Sequence, residues 1–262
     1  MKKFLLKITF FVFLFSCSQS SKYYGPVVAP SSVLKDMMSW LYYQRDYMIW
    51  SADYIALDTS LNIITKNEFL QRLTTGRYFP LKIITRDSSL CYQLYKIDDM
   101  VNKEIITVIK EKAITEYQYF KMEGKVLPNF NFVDLEGNRY NFETIRGRTI
   151  VLNCWFIRCK PCVAEMPRLN ELVDKFKDKN DIIFVGLAFD AAKDLRPFLR
   201  RIAFNYKVVP DMEAYLMNDL KIISYPTHLV VNSKGVILKV INNNVNELID
   251  FLDRQTELRK RL

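Results

Sequence analysis

Residues 149–155, Thr-Ile-Val-Leu-Asn-Cys-Trp, read as one continuous apolar run, and just beyond it Cys159-Lys-Pro-Cys162 opens a helical pattern. A run with no polar alternation has no face for solvent, so it is suited to a strand at the centre of a sheet, covered on both sides. Residues 160–178 then carry Val163, Leu169, Leu172, Val173 and Phe176 at helical spacing, facing inward. The chain thus passes from a buried strand into an amphipathic helix, which calls for layered α/β packing.

The flanking pattern agrees. Phe130–Val133 and Tyr140–Phe142 flank Glu136-Gly-Asn138 as a hairpin, and Asp181–Ala188 is a second buried strand followed by a helix over Ala191–Phe204. Thr227–Val231, a Ser233-Lys-Gly235 turn and Val236–Ile241 make another hairpin, and Val245–Thr256 closes the chain as a helix. Residues 125–262 are therefore expected to form a mixed sheet flanked by helices.

Gly124 to Pro128 marks a boundary. Before it, residues 18–30 read as a polar linker, and Ser31 to Trp50 as an amphipathic helix with Leu34, Met37, Met38, Leu41 and Met48 at helical spacing. Strand-like runs follow at Tyr54–Leu57, Leu61–Ile64, Leu81–Thr85 and Leu90–Ile97. Thr65-Lys-Asn-Glu68 is a capping box for a short helix ending at Gly76, and a longer helix starts near Asp98 with Ile105, Ile106, Ile109, Ile114 and Tyr117 toward a core. Residues 18–124 thus predict a linker and a small α+β domain with no chemical motif.

The chain has 262 residues, 50% of them hydrophobic, enough for two modest domains. Its formal charge of +9 suggests an acidic partner such as nucleic acid. Three of the 38 basic residues, Lys2, Lys3 and Lys7, lie in an acid-free leader, so the other 35 face 29 acids. No basic stripe accompanies that balance, and nucleic-acid binding is not expected. One His excludes a metal site built on several imidazoles.

Residues 1–17 have a basic start, an apolar stretch from Ile8 to Phe15 too short to span a bilayer, and Ser16-Cys17. This is the build of a secretory signal peptide, and Leu14-Phe15-Ser16-Cys17 resembles a bacterial lipobox, in which Cys17 becomes the lipidated N-terminus. The alternative is a cleavage elsewhere nearby with Cys17 incidental. Either way the mature chain is expected outside the cytoplasm, in the periplasm or cell envelope, where disulfides persist. A lipidated Cys17 adds a membrane anchor.

Cys159 and Cys162 sit where a strand ends and a helix begins. Unpaired N–H groups and the positive end of the helix dipole stabilise a thiolate there, which makes Cys159 the expected exposed nucleophile and Cys162 the more buried resolving thiol. Arg158 and Lys160 flank the nucleophile with positive charge that lowers its pKa, and Pro161 suits a first helical turn. A half zinc site would need two further ligands where only one His and scattered Cys remain, and an inert disulfide across so short a loop adds little stability. Cys91 and Cys154 lie in strand-like runs and read as buried inert thiols.

On these residues, 125–262 resembles a thioredoxin-fold domain, and within that fold the TlpA/ResA class of extracytoplasmic thiol–disulfide oxidoreductases. Trp155 resembles the tryptophan of the active-site strand, Pro167 the proline that kinks the active-site helix, and Tyr225-Pro226-Thr227 the cis-proline loop facing the disulfide. Thioredoxins carry a buried Asp where this chain has Asn153, and the TlpA/ResA class pairs Asn there with a Glu at the position of Glu165.

The resemblance implies a redox-active disulfide between Cys159 and Cys162 and no bound cofactor. It further implies Glu165 as proton shuttle for Cys162, and a substrate-binding surface at Trp155, Tyr225 and Pro226. Partners implied are envelope proteins with disulfides, apocytochromes among them, and a DsbD-like membrane electron donor. Arg158, where thioredoxins have Trp, and Lys160 depart from the pattern. The alternative within the fold is a copper-binding thiol metallochaperone using His228. Peroxidase chemistry is disfavoured, since Phe156 stands where a peroxiredoxin needs Thr or Ser.

Overall fold

The computed structural model describes residues 22–179 and 181–260, so the expected signal segment and Cys17 lie outside the described residues. In order, the N-terminal half runs β1 (Tyr23–Pro26), α1 (Pro30–Val33), α2 (Met37–Tyr47), β2 (Ile55–Leu57), β3 (Ile63–Ile64), α3 (Lys66–Leu73), β4 (Tyr78–Thr85), β5 (Cys91–Lys96) and α4 (Lys103–Phe120). Its strands form a five-stranded sheet in the order β1-β4-β5-β2-β3.

Two expectations need correction here. Part of the predicted linker is β1, which pairs antiparallel with the edge of β4. The single helix expected over 31–50 is broken, because Asp36 leaves the helical path and its carboxylate accepts the Ser39 N–H at 2.7 Å, capping α2 afresh. The buried face of α2 is Trp40 and Tyr43, whereas Met38 and Leu41 are exposed. Two large rings remove more apolar surface from water than the flexible Met and Leu side chains, and they set the helix's rotation.

The C-terminal half continues with β6 (Asn131–Val133), β7 (Arg139–Asn141), β8 (Thr149–Trp155), α5 (Lys160–Phe176), β9 (Ile182–Ala188), α6 (Ala192–Leu199), β10 (Lys207–Val209), β11 (Thr227–Val231), β12 (Ile237–Asn242) and α7 (Val245–Lys260). A π-helical turn at Tyr215–Asp219 precedes β11. The sheet order is β10-β9-β8-β11-β12, with β8 at its centre and every β8 residue buried, as the apolar run requires. β9 and β10 run parallel to β8, whereas β11 is antiparallel to both β8 and β12, so the sheet is mixed.

The halves share α4. Ile105, Ile109 and Ala113 bury into the N-terminal core, while Tyr119, near the helix end, belongs to the C-terminal core. The chain beyond α4 then docks on the sheet edge, with Gly124 N–H on the Ile237 carbonyl and Leu127 N–H on that of Gly235, both at 2.8 Å. Beside this seam the Lys239 ammonium, 5% exposed, donates to the Ser51 carbonyl at 3.0 Å and lies 3.2 Å from Asp53 and 3.3 Å from Glu123. Lys66 joins it on the Ser51 and Ala52 carbonyls, over the Tyr54 and Phe120 rings; burial, reinforced by Lys239, lowers its pKa to about 8.

Removing one partner of a buried ion pair strands the other charge. Lys239→Ala is expected to cost about 3 kcal/mol in urea unfolding at pH 7. Burial already holds the Glu123 carboxyl above its ordinary pKa, against the pull of Lys239. Without Lys239 that pKa rises further, so Glu123 sheds its charge as the pH falls through it, and the deficit shrinks toward pH 5.

Candidate active site at the start of helix α5

β8 delivers the chain to a tight turn. The Cys159 N–H donates to the Phe156 carbonyl at 3.0 Å, and the Ile157 N–H to the Asp190 carboxylate at 2.7 Å. Cys159 is the N-cap of α5, its Sγ accepting the Cys162 N–H at 3.3 Å, and the two cysteines are joined as a disulfide with their Cα atoms 5.3 Å apart. Pro161 occupies the first turn, where no N–H is needed, and Pro167 lies inside the helix.

The expected order of exposure holds, but its extent does not. Cys159 is 5% exposed and Cys162 1%, because the disulfide sits in an apolar cluster with Trp155, Met166, Leu195 and Phe198. Arg158 and Lys160 are exposed on either side of Cys159. Trp155 does not contact substrate space, contrary to the sequence reading. It is fully buried beneath the disulfide, against Phe198 and Phe204, since β8 is covered on both faces.

The bond between Tyr225 and Pro226 is cis. Thr227 pairs with Cys154 on β8, so the Tyr225-Pro226 segment lies at the same end of the sheet as the Cys159 turn. Pro226 itself is buried, and Tyr225 is half-buried. The Tyr225 ring meets Phe156 at 5.6 Å and Phe189 at 5.0 Å, and packs against the cluster that holds both cysteines.

A polar cluster lies one turn along α5 from Cys162. Asn153 Nδ2 is 3.1 Å from Glu165 Oε1 and 3.2 Å from His228 Nδ1. An amide NH₂ has a hydrogen for each, which leaves His228 Nδ1 as acceptor and puts the imidazole proton on Nε2. Nε2 is 3.3 Å from the same Glu165 oxygen, close enough for attraction though not in hydrogen-bond geometry. His228 is fully buried.

Sequence reasoning found Asn153 and Glu165 but missed His228 as their companion. The available signal was its place in β11, where it faces Asn153 in register. Asp190, which fixes the Ile157 N–H, was also missed. Among the described residues no three His, Cys, Asp or Glu side chains converge as a metal site.

Cys91 and Cys154 are free and fully buried. Burial pushes the Cys91 thiol up to about 11 and the Cys154 thiol well above the ordinary range, so neither is a ready nucleophile. Phe156 stacks on Phe189 at 5.2 Å and offers no hydroxyl for a peroxide.

A mixed sheet with a Cys-Lys-Pro-Cys disulfide capping the helix after its central strand, opposite a cis-proline loop, defines a thiol–disulfide oxidoreductase domain of thioredoxin-like fold. Residues 124–240 match the AhpC/TSA family. The chain is similar to the thiol-disulfide oxidoreductase ResA of Bacillus cereus, with 32% identity over 171 residues, covering 62% of this chain and 99% of the relative. It is 30% identical to the thioredoxin-like protein YneN of Bacillus subtilis over 117 residues, covering 44% of this chain and 68% of the relative. Among solved structures, the thioredoxin domain of a thiol-disulfide oxidoreductase from Bacteroides vulgatus superposes with a TM-score of 0.45 at 22% identity, covering 50% of this chain and 96% of that one. The chain belongs to the ResA-type family of thiol–disulfide oxidoreductases.

The packing under the disulfide can be tested at Gly186. A Cβ there would meet Phe204 and Trp155 Nε1, each at 2.9 Å. Gly186→Ala is expected to lose about 2 kcal/mol in urea unfolding, with a shift in Trp155 emission.

Proposed function

We propose that the chain is an extracytoplasmic reductase of protein disulfides, anchored through Cys17. The observation that carries the reading is the Cys159–Cys162 disulfide at the N-cap of α5, with Glu165 one turn further along the helix, where Asn153 donates to its carboxylate. In the reduced enzyme the helix N-terminus, Arg158 and Lys160 favour the Cys159 thiolate. That thiolate attacks a substrate sulfur, the substrate S–S bond breaks, and one substrate thiolate leaves.

The Cys162 thiol then gives its proton to Glu165 and attacks Cys159 Sγ, releasing the second substrate thiolate. The substrate gains two electrons and leaves as two thiolates, which take one proton from Glu165 and one from the solvent that received it when Cys159 ionised, and the enzyme is left with its disulfide. Return to the dithiol reverses these steps with a dithiol donor, in this reading a DsbD-like membrane carrier. Disulfide-containing envelope proteins, apocytochromes among them, are the substrate class, and the redox pair needs no bound cofactor.

Cys159 is the more exposed of the pair, at 5% against 1% for Cys162, which favours it as the cysteine that a partner sulfur reaches first. A substrate chain can pair with the backbone at Tyr225 as an added strand while its disulfide meets Cys159.

Cys162→Ser blocks the release step. In an envelope extract it should accumulate a mixed disulfide at Cys159, identified by mass spectrometry, that Cys159→Ser does not form; capture of nothing would sink the reading. Glu165→Gln tests the proton step. Loss of a general base should slow release about a hundredfold at pH 7, with the deficit shrinking as the pH is raised and hydroxide takes over the removal of the Cys162 proton. An unchanged pH profile would remove Glu165 from the mechanism.

A further inference from the structure

Helix α4 belongs to the N-terminal half, yet its last turn reaches the loop that carries the cis-proline. The Tyr119 phenol oxygen accepts the Ile223 N–H at 3.3 Å and the Ser224 N–H at 3.1 Å. It also lies 3.4 Å from Thr227 Oγ1, whose own hydroxyl donates to the Ser224 carbonyl at 2.7 Å. A phenol accepts two hydrogen bonds and donates one, so the capacity of Tyr119 is spent on this loop.

Its neighbours on the helix add to the hold. Gln118 Nε2 donates to the Lys221 carbonyl at 2.7 Å, and Glu116 lies 3.5 Å from Asn242 Nδ2, whose Oδ1 takes the Ser224 hydroxyl at 3.1 Å. Either side of this stretch the loop is held within its own half, with the Ile222 N–H on the Leu216 carbonyl at 2.8 Å and the Asn243 N–H on the Pro226 carbonyl at 3.0 Å, whereas between them Ile223 is 55% exposed. The N–H groups of residues 223 and 224 point inward to Tyr119, whereas the N–H and C=O of Tyr225 take no hydrogen bond among the described residues. The inward bonds fix the peptide planes just before Tyr225 and so set which way its open groups point.

We propose that the end of α4 braces the substrate-pairing loop, with Tyr119 as a positioning residue that sets the affinity for an extended polypeptide. The N-terminal half thereby acquires a role in substrate binding. The inference rests on the reading of Tyr225 as the edge to which a protein disulfide substrate pairs.

The test uses the full chain with Tyr119→Phe, which keeps the ring and removes the oxygen, leaving two inward N–H groups without a partner. Amide exchange at residues 223 and 224 is measured beside insulin reduction driven by dithiothreitol. The expected result is exchange at least tenfold faster at both amides and a KM for insulin raised about tenfold, with kcat and the reduction potential of the Cys159–Cys162 pair held.

Unchanged exchange overturns the brace, and so does faster exchange with an unmoved KM. A loss confined to kcat or to the potential also overturns it, because that would place Tyr119 in the chemistry. Gln118→Ala, at a half-buried site, should raise KM in the same direction by about threefold; no rise there counts against the brace whatever the folding of Tyr119→Phe. Wild-type protein that fails to reduce insulin would sink the reductase reading itself, and the brace with it, before any variant is compared.

Discussion

The antiparallel pairing of β11 with β8 decides where every polar group of the site can stand. With Thr227 opposite Cys154 and His228 opposite Asn153, the imidazole is placed beside the amide and both reach Glu165 from the neighbouring helix. The same register sets Tyr225 and Pro226 next to the turn that β8 feeds. A slip of one residue would turn His228 to the opposite face and a hydrophobic neighbour toward the carboxylate. Burial on both sides of β8 and β11 makes such a slip costly, so the chemistry inherits its precision from apolar packing.

On that frame, the first turn of α5 does electrostatic work with little bulk. Its Cys162 N–H points at Cys159 Sγ, and the disulfide lies in an apolar cluster where charge interactions are strong. The positive side chains stand outside this cluster, at Arg158 and Lys160, where solvent screens them. In the proposed cycle the helix end is thus the first source of support for a thiolate at Cys159, and its screened cationic neighbours the second.

Local signals in the sequence served well. The apolar run of β8, the Cys159–Cys162 spacing, Pro167 and the cis-proline tripeptide each declare themselves within a few residues, and the elements they mark stand where expected. Contacts between distant residues were harder to read. His228 lies 75 positions from Asn153, and Tyr119 lies 105 from Ser224, so no periodicity in a short window could join them. Trp155 was misread because a motif position says nothing of which neighbours cover it. In α2, counting Met and Leu as inward neglected that Trp40 and Tyr43 bury more area per residue and take the inner face.

The boundary suggested by the glycine and proline at 124–128, which coincides with the start of the family match, is a boundary of sequence but not of folding. Tyr119 fills the core downstream of it, and Lys239 from downstream neutralises charge upstream. A crossover in evolution that joined this catalytic half to a different partner at residue 124 would inherit an unfilled core and an unsupported loop. The seam at residue 124 thus couples the two halves through one ring and one ammonium, so that a substitution at Tyr119 or Lys239 is felt on both sides of it.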